Sequence, residues 1–100
     1  NYGNYKMFGE TSVTTYDAGH ILGSTMLKLE HEKKSLVYTG DFKSESTRMH
    51  AGAKPIENVN AVMIDSTYSL KEHPERRKAE LELIDNITEA IDNGGTALLP

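Results

Sequence analysis

Thr25-Met26-Leu27-Lys28-Leu29-Glu30 and Ser35-Leu36-Val37-Tyr38-Thr39, separated by His31-Glu32-Lys33-Lys34, decide how this chain of 100 residues is read. Both runs are rich in apolar and β-branched residues and the break between them is polar, which predicts two antiparallel strands joined as a hairpin. A turn centred between Lys33 and Lys34 sets Met26 opposite Asp41. Leu27, Leu29, Val37 and Tyr38 are the expected packing residues. Working towards the N-terminus, Asp17-Ala18-Gly19-His20-Ile21-Leu22-Gly23-Ser24 has two glycines in eight residues and reads as a shaped loop. Before it, Ser12-Val13-Thr14-Thr15-Tyr16 reads as a further strand. The Asn/Tyr/Gly-rich stretch ahead of that gives no assignment.

Working towards the C-terminus, residues 43–60 are polar, with one Pro and one Gly, and form a long connection. Connections longer than about 12 to 15 residues without secondary structure are usually functional or mobile. Ala61-Val62-Met63-Ile64 is a continuous apolar run, the pattern of a strand covered on both faces. The stripe Leu83, Ile84, Ile87, Ala90, Ile91 has helical spacing, and a helix is expected from about Pro74 to a stop at Gly94. Thr96-Ala97-Leu98-Leu99-Pro100 then reads as the start of a second buried strand, with a right-handed crossover linking it to the run at Ala61. The fold class is α/β, with mixed sheet strands and one long helix near the C-terminus. Asn1 is not an initiator Met and the last strand has only begun at Pro100, so the expectation is a fragment of a longer protein.

Composition narrows the function. Eleven Lys+Arg against 15 Asp+Glu give a net charge of −4, which argues against a generic basic nucleic-acid module. With 37% hydrophobic and 26% charged residues the chain matches globular usage rather than a collagen-like or disordered one. No apolar run approaches the ~18 to 20 residues of a membrane span, and no signal peptide pattern occurs, so a soluble, cytoplasmic protein without membrane partners is expected. With no Cys, any metal must be held by His and carboxylates.

Two stretches carry ligand chemistry, Asp17-Ala18-Gly19-His20 and Tyr38-Thr39-Gly40-Asp41. Each puts a metal-ligating side chain just after a glycine, and the hairpin brings both to one of its ends. An imidazole nitrogen and a carboxylate able to bridge two cations suit a two-metal site. Taken alone, a lone Gly-His and a lone Gly-Asp are commoner as a loop histidine and a turn aspartate.

Five blocks in order extend the pattern: Asp17 through Ser24, Val37 through Phe42, Asp65-Ser66-Thr67-Tyr68, His73-Pro74, and Gly94 through Pro100. Together they resemble the second half of the metallo-β-lactamase domain of β-CASP nucleases, most of all the archaeal and mRNA 3′-end-processing branch. The resemblance covers roughly residues 13 to 100. It implies an αββα sandwich, of which residues 1–100 are part, ending at the inserted β-CASP domain. It implies that His20 and Asp41 are metal ligands, with Asp41 the bridging carboxylate, that the cofactor is zinc, two ions in the full-length protein, and that Asp65 is catalytic, orienting a histidine of the other domain near the leaving group. RNA is the implied partner and substrate, hydrolysed by a two-metal-activated hydroxide, with a homodimer or an RNA-processing complex as the assembly.

The family's His-x-His-x-Asp-His ligand run does not occur among His20, His31, His50 and His73. On its own this stretch of chain is therefore expected to be inactive. Relatives often carry Glu where Asp65 stands and Gly where Ser69 stands. Two alternatives stay open: a non-catalytic scaffold homologue in an RNA-processing complex, and another metallo-β-lactamase-fold hydrolase, which should lack the block at residues 65–68. Lys71, Arg76, Arg77 and Lys78 are expected to be solvated surface, Tyr16 and Tyr38 strand packing, and His31 and His50 solvent-facing.

Overall fold

The computed structural model describes residues 2–99. Among them are five strands and one helix: β1 (Tyr5–Phe8), β2 (Thr11–Asp17), β3 (Thr25–His31), β4 (Lys34–Tyr38), β5 (Ala61–Met63) and α1 (Arg76–Asp92). The chain divides into two compact units, Asn1–Thr67 and Tyr68–Pro100.

The first unit is a mixed five-stranded sheet of order β1-β2-β3-β4-β5, antiparallel from β1 to β4 and parallel between β4 and β5. β1 went unassigned in the sequence because it is short and its four residues are all exposed. The signal for it was local: Phe8 pairs with Thr11 across the two-residue turn Gly9–Glu10, and Gly9 has φ 60°. A positive φ at the first central residue is what a type II′ hairpin turn requires.

The β3–β4 hairpin forms, with a corrected register. His31 pairs with Lys34 and Leu27 with Tyr38, so the turn is Glu32–Lys33 and its centre lies one residue earlier than expected. Glu32 takes φ 53° to close this tight turn, a conformation uncommon for a residue with a side chain. Continued past the last pair, the register puts Met26 across from Thr39, and Asp41 across from Ser24 rather than Met26. The partner shift is two residues, so each β4 side chain keeps its face.

Those faces differ. On one, Met26 and Val37 are buried to 4% and 3% exposure. They line an apolar cleft of about 300 Å³ with Phe42, Ile56 and Val62, roofed by the long connection. The other carries Leu27, Leu29, Leu36 and Tyr38. Leu27 and Leu29 are half-buried, but Tyr38 is 46% exposed, against the expectation that it packs. It pairs with Leu27 on one side and Met63 on the other, on the face the connection does not cover. β5 also departs from its expected burial on both faces: Ala61, Val62 and Met63 are exposed, because β5 forms the outer edge of the sheet. Asn60 sets its start, Oδ1 accepting from the Ser35 backbone N–H at 2.8 Å and the Ser35 hydroxyl at 3.1 Å.

In the second unit, α1 begins two residues after Pro74, because Glu75 is extended (φ −55°, ψ 127°) and forms the boundary. Its end is a Schellman motif: Gly95 N–H donates to Ala90 O (2.8 Å) and Gly94 N–H to Ile91 O (2.9 Å), with Gly94 at φ 73°. Ala79, Ile87 and Ala90 are half-buried, and no helix residue is fully buried. Residues 96–99 form no strand, which corrects the expected crossover to β5; a strand needs a neighbour to complete its ladder, and this unit supplies a helix and loops. Pro100 lies outside the described residues. Lys71, Arg76, Arg77 and Lys78 are exposed, with Arg76 paired to Glu80 at 2.9 Å. Among the described residues no helix is long and apolar enough to cross a membrane.

Candidate metal and catalytic site

The sheet topology brings three loops to one end. β2 ends at Asp17 opposite Thr25, where β3 begins, so residues 18–24 form the loop between them. β4 and the parallel β5 both terminate at this same end, with Tyr38 beside Met63. His20 sits in the first loop, Asp41 just beyond β4, and Asp65 just beyond β5.

Short-range bonds shape the first loop. Gly19 N–H donates to Asp17 Oδ1 at 2.8 Å. Ser24 Oγ accepts from the backbone N–H groups of His20 (3.1 Å) and Ile21 (3.2 Å). The Ser24 carbonyl accepts from Ala18 N–H (3.2 Å) and from the Tyr2 hydroxyl (2.9 Å). Ser24 thus holds the backbone at His20 while the imidazole stays exposed.

Long-range bonds lock the loops together. Lys43 N–H donates to Ala18 O at 2.9 Å, and Ala53 N–H donates to Lys43 O at 2.8 Å. Gly19 lies under this pair at φ 65°. A Cβ there would overlap the Ala53 nitrogen and stand 2.6 Å from the Lys43 carbonyl oxygen, so only glycine fits. On the other side, Thr39 N–H donates to Met63 O at 3.0 Å. The Thr39 hydroxyl donates to Gly40 O (2.8 Å) and accepts from Asp65 N–H (3.0 Å).

Asp65 Oδ1 accepts from the Thr67 backbone N–H (3.0 Å) and from the Thr67 hydroxyl (2.6 Å). Its carboxyl is held below the usual carboxylate range, chiefly by the Thr67 hydroxyl and then by the Thr67 amide. Partial desolvation opposes them, while the Ser66 amide and the charge on His20 add to the lowering. His20 and Asp65 are thus within electrostatic reach of each other. Asp41 is exposed, like His20, at the same end of the sheet.

An imidazole and a carboxylate are donor types that suit zinc. Their number does not complete a site: zinc takes at least three protein ligands, and no group of three or more His, Asp or Glu able to hold a metal occurs among the described residues. Ser24, Thr39 and Thr67 lie inside the sequence motifs, but their composition gives them no role. Their hydroxyls act across contacts that emerge only from the fold. His73 packs locally, its ring 5.2 Å from that of Tyr68. His31 is exposed beside Thr11, whereas His50, expected to face solvent, is half-buried in the turn closed by Thr47.

No protein-family model matches the chain. It is 36% identical to the probable RNase MJ4 of Methanocaldococcus jannaschii, over 100% of this chain and 24% of the relative. It is 35% identical to RNase aCSPSF2 of Saccharolobus solfataricus, over 99% of this chain and 20% of the relative. It is 33% identical to cleavage and polyadenylation specificity factor subunit 3 of Dictyostelium discoideum, over 88% of this chain and 12% of the relative. The chain therefore spans a quarter or less of the length of these relatives. The matches run across the loops bearing His20, Asp41 and Asp65, so the chain is similar along its length to proteins named as RNases.

Proposed function

We propose that the chain is the second half of the metallo-β-lactamase domain of a longer protein, and that this protein is a metal-dependent ribonuclease of RNA processing or decay. The observation that carries the reading is the convergence of His20, Asp41 and Asp65 on one end of the sheet, in a chain alignable along its whole length with proteins named as RNases. The metal is zinc, two ions, with His20 and Asp41 among its ligands and the remainder supplied by the rest of the protein. Bound zinc supplies the Lewis acidity that makes water a nucleophile at neutral pH and offsets charge on the phosphoryl oxygens.

The chain's own residues do the rest. Ser24 and Gly19 present His20, and the turn after β4 presents Asp41. Thr67 donates twice to Asp65 Oδ1 and so favours its ionised form. That leaves Oδ2 with acceptor capacity for an imidazole from the adjoining domain, whose protonated form it would favour for protonating the leaving oxygen. The substrate is RNA and the setting an RNA-processing assembly.

Asp41→Ala in the full-length protein tests this. RNA cleavage should fall by at least about 100-fold and bound zinc should drop. Unchanged cleavage and metal content would remove Asp41 from the site. A wild-type protein that binds RNA without cutting it would favour the scaffold role, and faster cutting of DNA than of RNA would overturn the substrate assignment.

A further inference from the structure

We infer that Thr39 is a positioning residue whose hydroxyl fixes the backbone at Asp65 against the turn that carries Asp41. The inference rests on the reading that Asp41 and Asp65 serve one nuclease site. Thr39 is 4% exposed, and it is the buried polar residue of the described chain. Its hydroxyl is used in both senses, donating to Gly40 O at 2.8 Å and accepting from Asp65 N–H at 3.0 Å. Its own N–H donates to Met63 O at 3.0 Å.

The two hydroxyl partners are far apart in sequence but each adjoins a carboxylate. Gly40 immediately precedes Asp41, and the other partner is the amide of Asp65 itself. A hydroxyl that only completed its own strand would bond along the β4–β5 ladder, yet the Thr39 backbone already does that through Met63. The side chain instead joins the two loops beyond the strand ends. Buried polar groups that lose a partner are costly, so the bond restrains both loops to one arrangement. Supporting bonds of this kind hold reactive carboxylates near a productive geometry without touching the substrate.

The test uses the full-length protein with Thr39→Val, which keeps the shape and removes the hydroxyl, and Thr39→Ser, which keeps the hydroxyl. Thr39→Val should lower kcat for RNA cleavage by about 10- to 100-fold with KM within about threefold of wild type, and Thr39→Ser should recover most of kcat. In an Asp65→Asn background, adding Thr39→Val should cost less than about threefold, because the two changes remove the same function. Independently of activity, amide hydrogen exchange at Asp65 should be slow in the wild type and in Thr39→Ser, and at least about tenfold faster in Thr39→Val.

Wild-type kcat in Thr39→Val, equal losses in Thr39→Val and Thr39→Ser, or full additivity with Asp65→Asn would overturn the role. If Thr39→Val does not fold, the wild type decides: a protected Asp65 amide supports the link and an unprotected one overturns it. A wild-type protein that cuts no RNA would instead overturn the nuclease reading, and the exchange data would still report on the bond.

Discussion

At one end of the sheet the chain reverses within two residues, at Gly9–Glu10 and again at Glu32–Lys33. At the other end it wanders: residues 18–24 loop out and back, and the path from β4 to β5 runs through residues 39–60. The tight end closes through neighbours in sequence, as in Phe8 with Thr11 and His31 with Lys34. The open end closes through bonds between distant segments, Lys43 to Ala18 and Asp65 to Thr39. Every proposed site residue is at the open end. The sheet thus separates the part of the chain that holds its shape locally from the part whose geometry depends on long-range ties, and the proposed chemistry uses the second.

Substitutions at the two ends should therefore behave differently. The largest effect is expected at Gly19→Ala, which forces a side chain into a positive-φ site and against the Ala53 backbone. It should cost about 3 kcal/mol in urea unfolding of the full-length protein and abolish most RNA cleavage, since the loop carrying His20 must shift. A neutral Gly19→Ala would show that the open end does not depend on this close approach.

Next comes Thr67→Val, which removes the hydroxyl donor to Asp65 and should reduce kcat about tenfold. Asp65 has a depressed folded pKa, so its ionised, structure-favouring form holds above that value and is lost as pH falls through it. Without the Thr67 hydroxyl the pKa moves up, and the loss should begin at higher pH. An NMR titration of the Asp65 carboxyl carbon checks the direction, and an unmoved titration would show that Thr67 does not set it.

Asn60→Ala extends the contrast, because Asn60 makes a long-range tie near the tight end, to Ser35 on β4, with β4 and β5 lying between this tie and Asp41 and Asp65. It should cost about 1 kcal/mol of stability and leave cleavage unchanged. The smallest effect is expected at Glu32→Gly. Relief of the positive φ, less the extra chain entropy of glycine, should raise stability by about 0.5 kcal/mol, again with unchanged cleavage. A large loss of activity from either would mean that the two ends are not functionally distinct.

The sequence was most legible where periodicity acts over a few residues. The apolar and β-branched runs around Leu27 and Leu36 marked β3 and β4, and the stripe from Leu83 to Ile91 marked α1, within a residue or two at their boundaries. The register slipped because His31-Glu32-Lys33-Lys34 is polar throughout, and nothing in its composition says that Glu32 will accept a positive φ. The expected strand at Thr96 failed for the opposite reason, since apolar residues favour a strand only where a neighbour completes the hydrogen bonds. For the site, Gly-His and Gly-Asp marked candidate ligands, and resemblance gave them roles. The supporting hydroxyls of Ser24, Thr39 and Thr67 were invisible as such, because Thr39 meets Asp65 across 26 residues that only the β4–β5 pairing brings together.

Anomalous X-ray diffraction of the full-length protein at the zinc edge would locate the metal relative to His20 and Asp41. The account predicts zinc density at the open end of the sheet, about 2.0 to 2.2 Å from an imidazole nitrogen of His20 and from a carboxylate oxygen of Asp41. Zinc bound elsewhere, with His20 and Asp41 both free of it, would contradict the account.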